Sequence, residues 1–239
     1  MPPRGGTVIL AAHGSRDPAA APVVQAIARA VADRLAARVE VGWLSTGAPA
    51  FADLAAAVAP DVVVPLLLGT GYHVLVDIPQ ALTGVPGGRP VVTPHLGPAG
   101  EVVAALADRV REVDPAPVAV VLAAAGTSHP VGRSETRQAG DLLSRVLGVP
   151  VLVAYASGAG PEVAEAVATL RASGARRVTV VPYLLAPGFF ADRIAAAAGP
   201  AGATTAAVLG DHPQVTGLVA RRIVEAYAAV PALREDRAA

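Results

Sequence analysis

The chain contains no cysteine, which excludes disulfides, thiolate metal sites, a cysteine nucleophile and a cysteine-held iron–sulfur cluster on it. Any metal it binds must be held by imidazole or oxygen. Large rings are scarce as well: aromatics are 3% of the 239 residues against 53% hydrophobic, so the core is expected to be built from Ala, Val and Leu. Neither sign of charge is in excess, with 19 Lys plus Arg and 19 Asp plus Glu, and no block of like charge occurs. Nucleic acid and anionic membrane surfaces are therefore not expected partners. Long apolar runs are missing too. The stretch "TVILAA" ends at a histidine after about six residues, too short for a signal sequence or a membrane span, and a cytoplasmic location is expected.

What is present is an internal repeat. His13 in "ILAAHGSRDP" and Ala125 in "VLAAAGTSHP" end two similar apolar runs 112 residues apart, and Pro49 of "WLSTGAP" meets Pro161 of "YASGAGP" at the same offset. A third pair, "VVVPLLLGTGYH" and "TVVPYLLAPGFF", aligns Pro65 with Pro182 at an offset of 117, which places five extra residues near "RASGARR". The 24 glycines and 22 prolines are scattered between apolar runs, as short loops require.

Each half reads as strand, helix, strand, helix, strand, then a glycine-containing turn into another helix. Consecutive apolar residues in "TVILAA" fit a strand covered on both faces. The following helix is expected to be capped by Asp17, to begin at Pro18 and to bury Val23, Val24, Ile27, Val31 and Leu35. The fold predicted is α/β: two homologous doubly wound parallel-sheet domains, residues 1–115 and 116–239, with a cleft between them. The seam falls in "EVDPAPVAV".

Ligands of open parallel sheets bind outside the carboxyl ends of the strands. His13 follows the first strand and His73 the third, so both are expected at that edge, with Gly14, Gly69 and Gly71 exposing backbone beside them. Neutral imidazole both ligates divalent metals and accepts protons near neutral pH. The plainer reading is two loop histidines, but the repeat weighs against it. At the equivalent positions the second half carries Ala125 and Phe190, so the two imidazoles are absent together while the frame around them is kept.

"AAHGSRDP", "VVVPLLLGTGYHVLVDIP", "TPHLGP", "VLAAAGTSHP" and "VPYLLAPGFFADRI", in this order, resemble the long two-half form of the sirohydrochlorin chelatases, the class II chelatases. The resemblance covers nearly the whole chain. It implies insertion of a divalent metal into sirohydrochlorin, for sirohaem with iron or cobalamin with cobalt. Fe2+ is placed ahead of Co2+ because sirohaem is the more widely needed product, and Ni2+ is a third substrate ion. It implies that His13 and His73 bind the metal and carry the catalysis, with no tightly bound cofactor and no nucleotide. One chain with two halves is expected to be a monomer.

A flat slot is then expected between the halves, walled by Leu66, Leu67, Leu68 and Tyr72 and by Tyr183, Phe189 and Phe190. The substrate is a polycarboxylate and the chain has no net charge, so local donors must recognise it. Gly14, Ser15, Arg16, Gly69, Thr70 and Gly71 are the candidates, with Arg193 a weaker one. One departure stands out: family members often carry an acidic residue after the second strand, where this chain has Ser45. Asp77 would share a helical face with His73, but it reads rather as an N-cap ahead of Pro79. His95 is read as a loop-packing residue, His129 as a turn or cap residue, and His212 as part of a helix cap.

Rival readings fit less well. A phosphohistidine enzyme needs Arg before its His-Gly, where Ala12 stands, and Ser15 does not sit in a G-x-S-x-G elbow. A non-catalytic tetrapyrrole or metal carrier that keeps the cleft is the alternative that Ser45 prompts.

Overall fold

The computed structural model describes residues 6–158 and 160–229. The first half runs β1 (Thr7–Gly14), α1 (Ala20–Leu35), β2 (Arg38–Thr46), α2 (Phe51–Val58), β3 (Val62–Leu66), a π-helical turn (His73–Asp77), α3 (Ile78–Ala81), β4 (Val91–Val92) and α4 (Gly100–Val113). The second runs β5 (Val120–Ala124), α5 (Pro130–Leu147), β6 (Val151–Tyr155), α6 (Val163–Ala172), β7 (Thr179–Tyr183), α7 (Phe189–Ala198), β8 (Thr204–Thr205) and α8 (Pro213–Ala229). Among the described residues no helix is long and apolar enough to cross a membrane.

Both halves form four-stranded, all-parallel sheets, ordered β2-β1-β3-β4 and β6-β5-β7-β8. The α/β doubly wound fold read from the sequence is the fold observed. Val8 to Ala12 of β1 and Val120 to Ala124 of β5 are buried throughout, because helices cover both faces of each sheet. The five extra residues of the second half divide between two places. Two lengthen α6, which has ten residues against eight in α2, and three lengthen the loop into β7.

Helix α1 buries Val24, Ile27, Val31 and Leu35 as its spacing requires, and Val23 is half-buried at the edge of the stripe. Its start differs from expectation. Asp17 Oδ1 accepts the Ala19 N–H at 2.8 Å and Ala20 N–H bonds back to Asp17 O at 3.1 Å, so Asp17 and Pro18 close a turn and the helix begins only at Ala20.

The layers show how the halves are joined. Outer helices α2 and α3 form a separate apolar cluster on the first sheet, and α6 and α7 form one on the second. The inner faces share one continuous core with α1, α4, α5 and α8. Within it the last helix of each half crosses over: α4 packs on β7 of the second sheet, and α8 packs on β3 and α1 of the first. Tyr227 of α8 donates from its hydroxyl to Asp61 Oδ2 at 3.1 Å, and Asp61 also accepts the Thr7 N–H at 2.8 Å at the start of β1.

Candidate functional site

In the first sheet the chain leaves β1 toward β2 on one side and β3 lies on the other, so a crevice opens between the carboxyl ends of β1 and β3. His13 is the next-to-last residue of β1, and His73 opens the π-helical turn after β3. The two rings meet edge to face, with centroids 4.7 Å apart and planes at 88°. The pair expected from the sequence is therefore brought together.

Hydrogen bonds orient both rings. His13 Nδ1 lies 2.9 Å from Gly14 O and His73 Nδ1 lies 2.5 Å from Asp77 Oδ2. A carbonyl and a carboxylate only accept, so both Nδ1 atoms carry a proton, and in the neutral rings both Nε2 atoms keep a lone pair. Among the described residues no third His, Asp or Glu completes a metal cluster with them. Two imidazole lone pairs with further positions left open make a perch from which a divalent ion can leave.

The Asp77 reading is corrected by this geometry. Asp77 stands at the N-cap position of α3 but makes no side-chain cap bond. The helix does not start afresh there: Ile78 N–H bonds back to His73 O across the π turn, so the Asp77 backbone is already helical and its carboxylate is free to reach His73.

The two crevices merge into one cavity of about 810 Å³ lined by both halves. Gly14, Ser15, Arg16, Gly69, Thr70, Gly71, Phe189 and Phe190 all line it, as do Leu66, Leu67, Leu68 and Tyr183. Tyr72 does not. It is 68% exposed, one residue before the π turn, and its ring contributes nothing to the wall described for it. Arg193 is not a lining residue either; its guanidinium lies 5.7 Å from the centroid of the Phe189 ring.

Gly14 has a requirement unrelated to any ligand. At φ +93° its missing Cβ would stand 2.0 Å from Thr46 O, so only glycine lets β1 and β2 converge behind His13. Its repeat partner Gly126, at φ +117°, would meet Ser157 O at 2.1 Å in the same way. Ser45, where an acidic residue was sought, is exposed and does not line the cavity; Thr46 does. Asp77 is thus the carboxylate in contact with His73.

The remaining histidines fall into three situations. His212 Nδ1 accepts the Gln214 N–H at 3.3 Å at the start of α8, the cap role expected. His129 occupies the N-cap position of α5 but its ring makes no cap bond; Thr127 Oγ1 closes the turn by accepting the His129 N–H at 3.1 Å, as Ser15 Oγ accepts that of Asp17 in the first half. His95 packs outside the cavity, its Nε2 3.3 Å from Glu135 Oε1 and 3.2 Å from Thr70 Oγ1.

Several lining residues had not been singled out. Trp43, within β2, and Tyr155, the last residue of β6, stand 112 residues apart and both line the cavity, a signal present in the repeat itself. Thr127 and Thr136 come from the loop before α5 and from α5. Tyr183 donates to Leu68 O at 3.0 Å, across the boundary between the halves. Burial, reinforced by the negative charge of Glu135, pushes its phenol well above the ordinary range and keeps it a donor.

A family model described as CbiX matches residues 7–113 and again residues 119–226. No curated protein sequence matches the chain. Among solved structures, SirB from Bacillus subtilis with Fe3+ is similar with a TM-score of 0.81 at 24% identity, over 94% of this chain and 96% of that one. The sirohydrochlorin chelatase SirB from Bacillus subtilis subspecies spizizenii, in complex with cobalt, gives 0.78 at 23%, over 95% and 97%. CbiX, described as the terminal enzyme for biosynthesis of siroheme in denitrifying bacteria, gives 0.69 at 20%, over 92% and 98%. At these identities the structures establish a shared fold along almost the entire chain. The double match of the family model, covering both halves of the repeat, makes this chain a member of the CbiX family.

Proposed function

We propose that the protein is a chelatase that inserts a divalent metal, Fe2+ or Co2+, into sirohydrochlorin. The observation that carries the reading is the His13–His73 pair, two rings 4.7 Å apart with both Nε2 lone pairs available, at the wall of an apolar cavity shared by two halves. Its relatives support it: the SirB and CbiX structures are described as sirohydrochlorin chelatase and siroheme enzyme, with iron or cobalt bound in SirB.

The chemistry follows from the substrate. Metallation removes two pyrrole N–H protons as the ion exchanges its carriers for the macrocycle, so the site needs a metal perch, a proton acceptor and a slot that excludes water. His13 and His73 hold the incoming ion through Nε2. Once the ion has passed to the macrocycle each Nε2 is free to take one of the two pyrrole protons, and Asp77, which fixes the His73 tautomer, stabilises the charge that ring then gains. Leu66, Leu67, Leu68, Tyr183 and Phe190 give the apolar walls, and Arg16, Ser15 and the backbone of Gly69 and Gly71 offer donors to substrate carboxylates. The ion and the tetrapyrrole are both substrates, and the pairing of halves within one chain supports a monomer.

The test is direct. Purified protein is incubated with sirohydrochlorin and Fe2+, Co2+ or Ni2+ while the absorbance change on metallation is followed. A rate well above the protein-free reaction with at least one ion is expected. A rate no greater than that control, together with retained binding of sirohydrochlorin, would instead identify a carrier.

A further inference from the structure

The second half lacks both histidines, yet it reaches into the segment that carries one of them. Six residues, Leu67 to Tyr72, join β3 to His73, and two of them, Gly69 and Gly71, flank Thr70. Glycines on both sides give such a segment more backbone freedom than any other residue would. Its shape is held by four bonds from outside. Leu67 O accepts the Leu96 N–H at 2.8 Å, Leu68 O accepts the Tyr183 hydroxyl at 3.0 Å, and Thr70 gives both its N–H and its hydroxyl to the carboxylate of Glu135, at 2.6 and 2.8 Å. Tyr183 and Glu135 both belong to the second half.

Glu135 is built for this contact. It projects from α5 and is only 17% exposed at its side chain, with His95 Nε2 3.3 Å from Oε1. The helix itself is pressed against the segment: a Cβ on Gly132 would stand 2.4 Å from Thr70 O, so only glycine at that position permits the approach. A largely buried carboxylate that accepts two bonds from one residue, with an imidazole alongside, is a strong and directional clamp. Three residues beyond Thr70 stands His73.

We infer that Glu135 is a positioning residue for the metal site: by clamping Thr70 it sets where His73 stands relative to His13, and this is what the half without histidines contributes to the chemistry. This inference rests on the reading of His13 and His73 as the metal perch. Glu135 touches neither the ion nor the substrate in this scheme. Groups that hold metal-binding histidines in place typically cost metal affinity about tenfold or more when removed, and Glu135 acts one step further back through the backbone.

The experiment uses Co2+ as probe on the full chain. Visible absorption of the bound ion reports affinity and ligand geometry in wild type and in His73→Ala, Glu135→Ala and Glu135→Gln, with secondary structure checked by circular dichroism. Wild type is expected to bind Co2+ in a His73-dependent way. Glu135→Ala is expected to weaken binding about tenfold, to change the Co2+ spectrum and to lower kcat of metallation with less change in KM for sirohydrochlorin. Glu135→Gln keeps an oxygen acceptor for the Thr70 N–H and is expected to recover most of the affinity and the wild-type spectrum. Wild-type affinity, spectrum and kcat in a folded Glu135→Ala overturn the inference. If the alanine variant does not fold, Glu135→Gln decides alone: an affinity as low as in His73→Ala overturns the clamp geometry, and near-wild-type affinity supports it. Absence of His73-dependent Co2+ binding in wild type would overturn the function proposed above instead.

Discussion

His73 and Asp77 lie four residues apart on a single π-helical turn, with Nδ1 and Oδ2 at 2.5 Å. The bond fixes the orientation of the His73 ring through Nδ1 and leaves Nε2 uncommitted. Asp77→Ala should therefore weaken Co2+ binding about 10- to 100-fold. Asp77→Asn should recover only part of the loss, because an amide oxygen accepts the Nδ1–H hydrogen bond without supplying charge. Titration followed by visible absorption distinguishes the two.

His13 and His73 stand with ring centroids 4.7 Å apart, and on the function proposed above their contributions should not add. His13→Ala and His73→Ala are each expected to lower the metallation rate by about 10²- to 10⁴-fold, and the double variant should be little worse than the weaker single one. Steady-state rates with Co2+ and sirohydrochlorin check this. An additive double variant would mean that the two rings work independently.

Gly126 belongs to the half without histidines, and its constraint is structural. Its φ of +117° and the 2.1 Å approach to Ser157 O leave no room for a methyl group. Gly126→Ala should cost at least about 1–3 kcal/mol from backbone conformation alone, read as a lower urea midpoint. A midpoint unchanged from wild type would contradict the β5–β6 geometry.

The crossing of α4 and α8 carries a charge contact with a definite pH signature. Glu101 Oε1 accepts from Arg221 Nε and Nη2 at 2.9 and 2.7 Å, and Arg221 also holds Glu225 at 2.7 Å. Burial works to raise the Glu101 pKa, but bonds to its own backbone and to Arg221, with the charges of Arg221 and Arg222, outweigh it and hold the carboxyl below the ordinary 4.5. A carboxyl depressed in the folded state adds stability above its unfolded pKa and loses it as pH falls through the folded value. Urea midpoints should thus fall on acidification below about pH 4.5, and Arg221→Ala should flatten that fall.

Residues 1–115 and 116–239, although they carry one repeat each, should not fold as separate chains. A fragment 1–115 lacks α8, which covers β3 and α1, and a fragment 116–239 lacks α4, which covers β7. Circular dichroism of each fragment alone and of the mixture tests this. Cooperative unfolding of either fragment by itself would sink the prediction.

The fold was legible because its signals are local. Consecutive apolar residues in β1, the i, i+3, i+4 stripe of α1 and the 112-residue offset between His13 and Ala125 need only neighbouring sequence to be read. His13 and His73 were legible for the same reason, each following a recognisable strand. Asp77 was misread because an N-cap pattern and a histidine partner look alike until the backbone is known to continue as a π turn. Tyr72 was misplaced because a period of one turn cannot tell which side of a six-residue loop a ring will face. Glu135 was invisible: its partner Thr70 lies 65 residues away in the other half, and no spacing rule connects them.

The crossing helices also govern the order in which the molecule can become whole. On the ribosome β3 is made early, but the helix that packs on it is residues 213–229. For most of synthesis Val62 and Val64, both fully buried in the finished molecule, lack their final cover. Burial of β3 therefore waits on α8, and mutations in α8 should appear as nascent-chain aggregation before they appear as any defect at the cavity, which α8 does not line.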